Sequence, residues 1–267
     1  MGDGHHWRVA DLYDWAFDWV DVPAGLLRRG TPAEDLDRLT AEHADLEIPR
    51  EWFAKEAPRH EVEVPGFAIL RTPVTWRMWA AFGMDRAGRF TTRVDSLLAS
   101  VGLTVPPPHA SPDHPVEGVP WTDAAAFAEW AGGLGRVPAR LPTEVQWERA
   151  ARGDDTREYP WGGDYQPGRA NLADAGIGTS TEVGSFPTGA SPFGVLDLAG
   201  NVDEWLADEY APYPGAPAGV PTVEDWARDR HLTRGGAWFH ERDLARCARR
   251  HGVYGDLRGV GFRLVRG

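Results

Sequence analysis

At 267 residues the chain is long enough to bury one large core, and a net charge of −12 argues against nucleic acid or an anionic membrane as its main partner. No run of 18 apolar residues offers a transmembrane helix, and no charged-then-apolar N-terminal stretch reads as a secretory signal. A single cysteine, Cys247, excludes an intrachain disulfide and makes a cytoplasmic home the expectation, while 13 tryptophans among 31 glycines and 22 prolines describe a loop-rich fold pinned by aromatic side chains.

Taken in order, residues 7–20 place Val9, Leu12, Tyr13 and Ala16 near helical spacing and then alternate, so a helix giving way to a strand by Trp19-Val20 is expected. Val22 to Leu27 reads as a strand or turn, and the polar, acidic stretch 31–58 as a mobile segment with a short helix around Pro32–Ala44. His60–Val64 alternates like a half-buried strand, with Phe67–Leu70 as its partner. Thr75 predicts an N-cap for a helix over Trp76–Phe82, and Thr122 one for Asp123–Ala131. Residues 84–111 read as irregular. Thr143 followed by Gln146 is a capping box opening a helix through Ala151. Beyond Gly153 the chain turns irregular, and Thr233–Trp238, Ala245–Arg250 and Gly261–Val265 read as short strands. No repeat or low-complexity linker divides the chain, so residues 1–267 read as a single domain.

The stretch Gly194–Trp205 carries two carboxylates, Asp197 and Glu204, around a Gly200-Asn201 turn, with apolar Val195, Leu198, Val202 and Trp205 on both sides. A reversal at glycine gathers carboxylate and carbonyl oxygens, and calcium takes six to eight of these at roughly 2.3–2.6 Å. Read without calcium, the same residues are a turn whose carboxylates face water.

The motifs then accumulate in one order. His114-Pro115-Val116, Trp121-Thr122-Asp123-Ala124, Arg140-Leu141-Pro142-Thr143-Glu144 and Trp147-Glu148-Arg149-Ala150-Ala151-Arg152-Gly153 come first. Pro160-Trp161-Gly162, Ala170-Asn171, the Asp197–Trp205 turn, Arg234-Gly235-Gly236-Ala237-Trp238 and Gly261-Phe262-Arg263 follow. In this set, from about Trp19 onward, the chain resembles the formylglycine-generating enzyme (sulfatase-modifying factor) family. The resemblance implies an α+β fold, the family's variant of the C-type-lectin fold, with low regular secondary structure and a small antiparallel core. It also implies structural calcium, held by side-chain oxygens of Asp197 and Glu204 and carbonyls of Gly200 and Val202. A second calcium site is implied near Asn171 and Leu172, with Asp174 as the candidate carboxylate.

One departure bears on function. The family's enzymes bind copper through two cysteines after the Gly-Gly-Ser/Ala-aromatic motif, as soft Cu(I) demands. Here the first of those positions holds His240 and the second is absent, so formylglycine generation is not expected. Cys247 reads as a buried small hydrophobe. The fold also forms part of ergothioneine-type sulfoxide synthases, whose iron sits on a separate domain with a His-x3-His-x-Glu motif not found in this sequence. His240, Glu241 and His251 then form a candidate metal or acid–base set, the other reading being that His240 and Glu241 are solvated loop residues. His240, Glu241 and Arg250 are the expected catalytic residues, with Arg250 facing a pocket. Trp238, Arg246, Arg249 and His251 are expected to bind substrate, the arginines through carboxylate pairing. Asp203 is expected to point outward. The resulting expectation is a repurposed tailoring enzyme, oxidative or proton-transferring, on a small amino-acid-like or peptide metabolite, with a second metal conceivable in its pocket. The alternative is a non-catalytic peptide- or protein-binding module, since fold alone does not choose.

Overall fold

The computed structural model describes residues 17–87, 94–220, 231–252 and 256–267. The helix expected around Val9–Ala16 and the His5-His6 pair lie outside these residues. From residue 19 the chain is strand: β1 (Trp19–Val22) and β2 (Gly25–Arg29) are separated by Pro23-Ala24, and proline cannot continue a ladder. β3 (His60–Val64) and β4 (Phe67–Leu70) come after two short helices, α1 (Leu36–Glu42) and α2 (Arg50–Ala54). The expected pairing of β3 with β4 does not form. β3 pairs antiparallel with β2 and β4 with β1, Trp19 opposite Leu70 and Leu27 opposite Val62. β4 is buried at every position, which suits a central strand and not the arm of a half-solvated hairpin.

The acidic stretch before β3 is packed, because Leu36, Leu39, Phe53, Ala54 and Ala57 make a small core of their own. Its polar majority hid the few apolar residues that anchor it. α3 (Trp76–Ala87) begins after Thr75, whose Oγ1 accepts from Met78 N at 3.4 Å. α4 (Val94–Ser100) occupies part of the stretch read as irregular. α5 (Trp121–Gly135) starts just before Thr122, directly after the extended Pro120. The short β5 (Ala139–Arg140) leads to α6 (Glu144–Arg152), which opens with the expected capping box of Thr143 and Gln146.

The last third supplies β6 (Asp203–Glu209), β7 (His231–Arg234), β8 (Val260–Gly261) and β9 (Val265–Arg266). β9 pairs with both β4 and β5, completing a sheet of order β1-β4-β9-β5. β6 lies between β7, antiparallel, and β8, parallel. Residues 245–250 form no strand. They run in turns that bury Cys247 and three arginines.

Two apolar clusters hold the fold. One gathers Trp76, Trp79, Phe82, Phe127 and Phe262, with the Trp79 and Phe127 rings stacked at 5.7 Å. The other joins Val22, Leu27, Ile69, Trp147, Leu198 and Leu232. Between them runs ionic chemistry. Every residue of α6 but Val145 is buried, so its charged members must find partners inside. Glu144 takes Arg29, Arg234 and Arg250, while Glu148 takes Arg234 and Arg152. Burial alone would raise Glu144, but the surrounding arginines outweigh it and hold the carboxyl well below the usual carboxylate range. Among the described residues no helix is long and apolar enough to cross a membrane.

Candidate functional site

The head of β6 is the centre of the site. The first four residues of β6 are all buried, so both faces of the strand are covered at its head and Asp203 lies inside. The expectation that Asp203 points outward is therefore corrected: strand alternation leads to water only when one face of a sheet is open. Asp203 Oδ2 accepts from Thr233 Oγ1 of β7 at 2.8 Å, and Oδ1 from the Gly236 amide at 3.2 Å. His251 bridges β7 through two backbone bonds with Thr233, which brings its ring to the same carboxylate. His251 Nδ1 sits 2.6 Å from Asp203 Oδ2.

His240 arrives through the turn at Gly235-Gly236, where φ is +100° and +76°. A Cβ at Gly236 would also lie 2.9 Å from the Leu244 Cβ, so glycine is required twice over. The Ala237 amide then donates to His240 Nδ1 at 2.9 Å. One ligand atom each of Asp203, His240 and His251 lies within 4.8 Å of the others, and the two rings meet edge to face at 5.0 Å.

The protonation pattern is set by these bonds. Burial would raise Asp203, but His251, His240 and Thr233 outweigh it and hold the carboxyl below its ordinary value. Asp203 is therefore a carboxylate, and His251 Nδ1 carries the proton it shares, leaving Nε2 as the basic nitrogen. His240 is the reverse. Burial lowers it to about 4, so it is neutral at physiological pH, and an amide donating to Nδ1 leaves the proton on Nε2. The same three residue types can hold a metal. As bonded here, Nδ1 of each ring is engaged and both Asp203 oxygens accept hydrogen bonds, so a metal would have to displace some of these contacts.

The other expected site residues divide. Trp238 is half-buried beside the cluster, with Nε1 donating to Glu117 at 3.3 Å and the Arg258 guanidinium 5.7 Å from its ring. Glu241 is exposed and outside the cluster, and Asp203 is the carboxylate found there instead. The three arginines expected at a pocket are corrected to core residues. Arg250 forks onto Glu144, Arg246 spans Glu56 and Glu158, and Arg249 reaches Asp243 through Nε and the Trp52 and Arg250 carbonyls through Nη1, each 1% exposed. Buried to this degree, none of the three presents its guanidinium to a substrate carboxylate. Cys247 is fully buried, and burial pushes its thiol up to about 12, which makes it unreactive.

The expected calcium residues surround the Gly200 turn. A Cβ at Gly200 would lie 2.3 Å from the Asn171 carbonyl, and φ there is +73°, so the turn demands glycine. Glu204 meets Arg263 through both oxygens, Nε at 2.7 Å and Nη2 at 2.6 Å, and also accepts from Trp147 Nε1. Asp197 turns aside to the Gly184 amide at 2.7 Å, and burial pushes it up to about 6. That raised carboxyl suits a cation, because a charge held without enough compensation is what an ion relieves. Asn171 donates to the Thr179 carbonyl, and its Oδ1 is buried without a partner, an unmet oxygen that also fits a cation. Asp174 does not turn towards it: this side chain is exposed and accepts from the Tyr165 hydroxyl at 2.6 Å. The Leu172 carbonyl accepts from Ala175 N in a tight turn.

The family described as the sulfatase-modifying factor enzyme 1-like domain matches residues 16–267. The hercynine oxygenase of Mycolicibacterium thermoresistibile is 35% identical over 222 residues, covering 72% of this chain and 48% of that protein. The formylglycine-generating enzyme of Mycobacterium tuberculosis is 31% identical over 251 residues, covering 73% of this chain and 75% of the enzyme. Among solved structures, PvdO from Pseudomonas aeruginosa matches with a TM-score of 0.68 and 25% identity, over 100% of this chain and 99% of its own. The chain spans about half the length of the hercynine oxygenases it matches.

Proposed function

Because the chain belongs to the sulfatase-modifying factor family, we propose that it is a tailoring enzyme transferring a proton on a small amino-acid-like or peptide metabolite. The observation that carries this reading is the pair of imidazoles held in opposite tautomers. His251, oriented by Asp203 as in other carboxylate–histidine pairs, is the base through Nε2. His240, neutral with its proton on Nε2, donates a hydrogen bond to the oxygen on which charge develops. A carbon acid beside a carbonyl is the substrate type that needs both groups at once. Asp203, buried and hydrogen-bonded three times, positions His251 and stays ionised. Relatives named hercynine oxygenase and formylglycine-generating enzyme support a tailoring role for the family fold. Copper chemistry of the two-thiolate kind is not part of this proposal, since the one cysteine is buried in the core.

The test uses solvent deuterium. The full chain is incubated in D2O with pooled amino acids and small peptides, and mass spectrometry reads exchange. Exchange into one component that vanishes in His251→Gln is expected. Exchange unchanged in that variant, or absent throughout, refutes the reading and favours a binding module. A second reading rests on the same cluster's residue types, those of a two-histidine, one-carboxylate metal centre. One equivalent of transition metal in the purified protein, lost in His240→Ala, would establish it in place of proton transfer.

A further inference from the structure

β8 runs parallel to β6 with Val260 opposite Asp203, and the Asp203 amide donates to the Gly259 carbonyl at 2.8 Å. A Cβ at Gly259 would lie 2.7 Å from the Ala237 Cβ and 2.7 Å from Phe239 Cε1. Only glycine therefore lets this backbone rest on the loop that carries His240. Arg258, the residue before it, is tied in this way to the wall of the Asp203 cluster.

The Arg258 guanidinium lies 4.3 Å from the centre of the Phe239 ring and 5.7 Å from that of Trp238. The same Phe239 ring stands 4.4 Å from the His240 ring, so one aromatic side chain touches both the guanidinium and the cluster. Unlike Arg246, Arg249 and Arg250, Arg258 is exposed. Among the described residues no carboxylate pairs with its guanidinium. Asp256 accepts from the Arg258 backbone amide at 3.0 Å, and Glu117, on the Trp238 side, accepts from Ser180 and Trp238. An aromatic ring holds a guanidinium without consuming its planar N–H fork, the group that meets a carboxylate in two parallel bonds.

We propose that Arg258 anchors a carboxylate of the metabolite at the Asp203 site, with Trp238 and Phe239 packed against the rest of the molecule. The assignment rests on that cluster being where the metabolite binds, and it narrows the substrate class to carboxylates, such as N-acyl amino acids and peptides with a free C-terminus. Arg258 is a binding residue and moves no proton.

Calorimetric titration of the full chain compares hippurate with hippuramide, which has the same benzoyl-glycine frame without the charge. Hippurate is expected to bind at least about tenfold more tightly, and Arg258→Gln to bring it down to the level of hippuramide, whose own affinity stays within about twofold. Arg258→Lys should recover part of the preference, since it restores the charge without the fork. Circular dichroism verifies the fold of each variant. Equal binding of the two probes, no binding of hippurate, or a preference kept in Arg258→Gln would each overturn the proposal. Binding is read without turnover, so the result is separate from deuterium exchange. An Arg258-dependent preference without exchange would support the carboxylate anchor and refute proton transfer, whereas exchange without that preference would overturn the anchor alone.

Discussion

Arg250 and Glu144, 106 residues apart in sequence, form a forked ion pair in the core: Nε to Oε1 at 2.6 Å and Nη2 to Oε2 at 3.1 Å. Removing one member of a buried pair strands the other charge, at a cost of about 3–5 kcal/mol. Glu144→Gln should therefore lower the unfolding free energy read from urea titration by an amount in that range, since Arg29, Arg234 and Arg250 all lose charge compensation together. Because the folded carboxyl is depressed, its contribution is present above the unfolded value of 4.5 and lost as pH falls through the folded one. The variant's acid limb should accordingly be flatter than wild type. A loss of less than about 1 kcal/mol, the scale of an exposed pair, would contradict this account.

His240 should stay neutral well below the usual histidine range. Nitrogen-15 spectra should show its ring unprotonated until the pH approaches about 4, with the proton on Nε2. A lowered histidine contributes stability above its unfolded value of 6.5, lost as pH falls from there towards the folded one. His240→Gln should thus abolish one part of the stability loss between pH 6.5 and 4. A His240 resonance titrating at 6.5 would refute the lowering by burial.

Asp203→Asn keeps the size of the side chain but removes the charge that orients His251. On the proposed chemistry, proton exchange should slow by about 10²–10⁴-fold. His251→Gln should slow it to the same level, and the double variant no further, because the two act as one unit. Additive losses would mean that Asp203 acts on its own.

Calcium at Asp197, Gly200, Val202 and Glu204 is a proposal that stability measurements decide. Without an ion, Asp197 is raised to about 6, so it stabilises most below its unfolded value of 3.8, and that contribution is lost as pH rises through 6. Bound calcium would remove this penalty. At a pH of about 7.5, calcium at a hundredfold excess over Kd should add about 2.7 kcal/mol, and Asp197→Asn should erase most of that gain. An unchanged melting curve with and without chelator would leave Arg263 as the only cation the turn requires.

Lys55, the chain's single lysine, is 2% exposed and stacks over Trp52 at 4.4 Å. Burial, then the neighbouring Arg249 and Arg250, lowers its ammonium from 10.5 to about 7. A lowered lysine weakens the folded state fully below the folded value, and the penalty fades as pH rises towards the unfolded one. Lys55→Met should raise the melting temperature by a few degrees at about pH 6, as about 1 kcal/mol does, and the gain should shrink by about pH 10. A gain independent of pH would assign it to packing.

Local and ordered features were legible in the sequence. The Thr143–Gln146 capping box, the strand His60–Val64 and the succession of motifs that marked the family depend on neighbours a few residues apart or on order alone. The arginines of residues 246–250 were misplaced because their meaning lies with Glu56, Glu144 and Glu158, carboxylates 88 to 190 residues away. Nothing in Arg-Cys-Ala-Arg-Arg distinguishes a substrate clamp from a core ion pair until those partners arrive. Asp203 was missed for a related reason. Alternation placed it outward beside Glu204, whereas both faces of β6 are covered at its head, so Asp203 and Glu204 are buried alike. Its pairing with His251, 48 residues on, arises from the Thr233 bridge, which no spacing in the sequence announces. Sequence determined which residues were present and which short elements they favour. Only tertiary packing decided which charges were desolvated, and desolvation with its partners is what separates the Asp203, His240 and His251 cluster from a solvated loop.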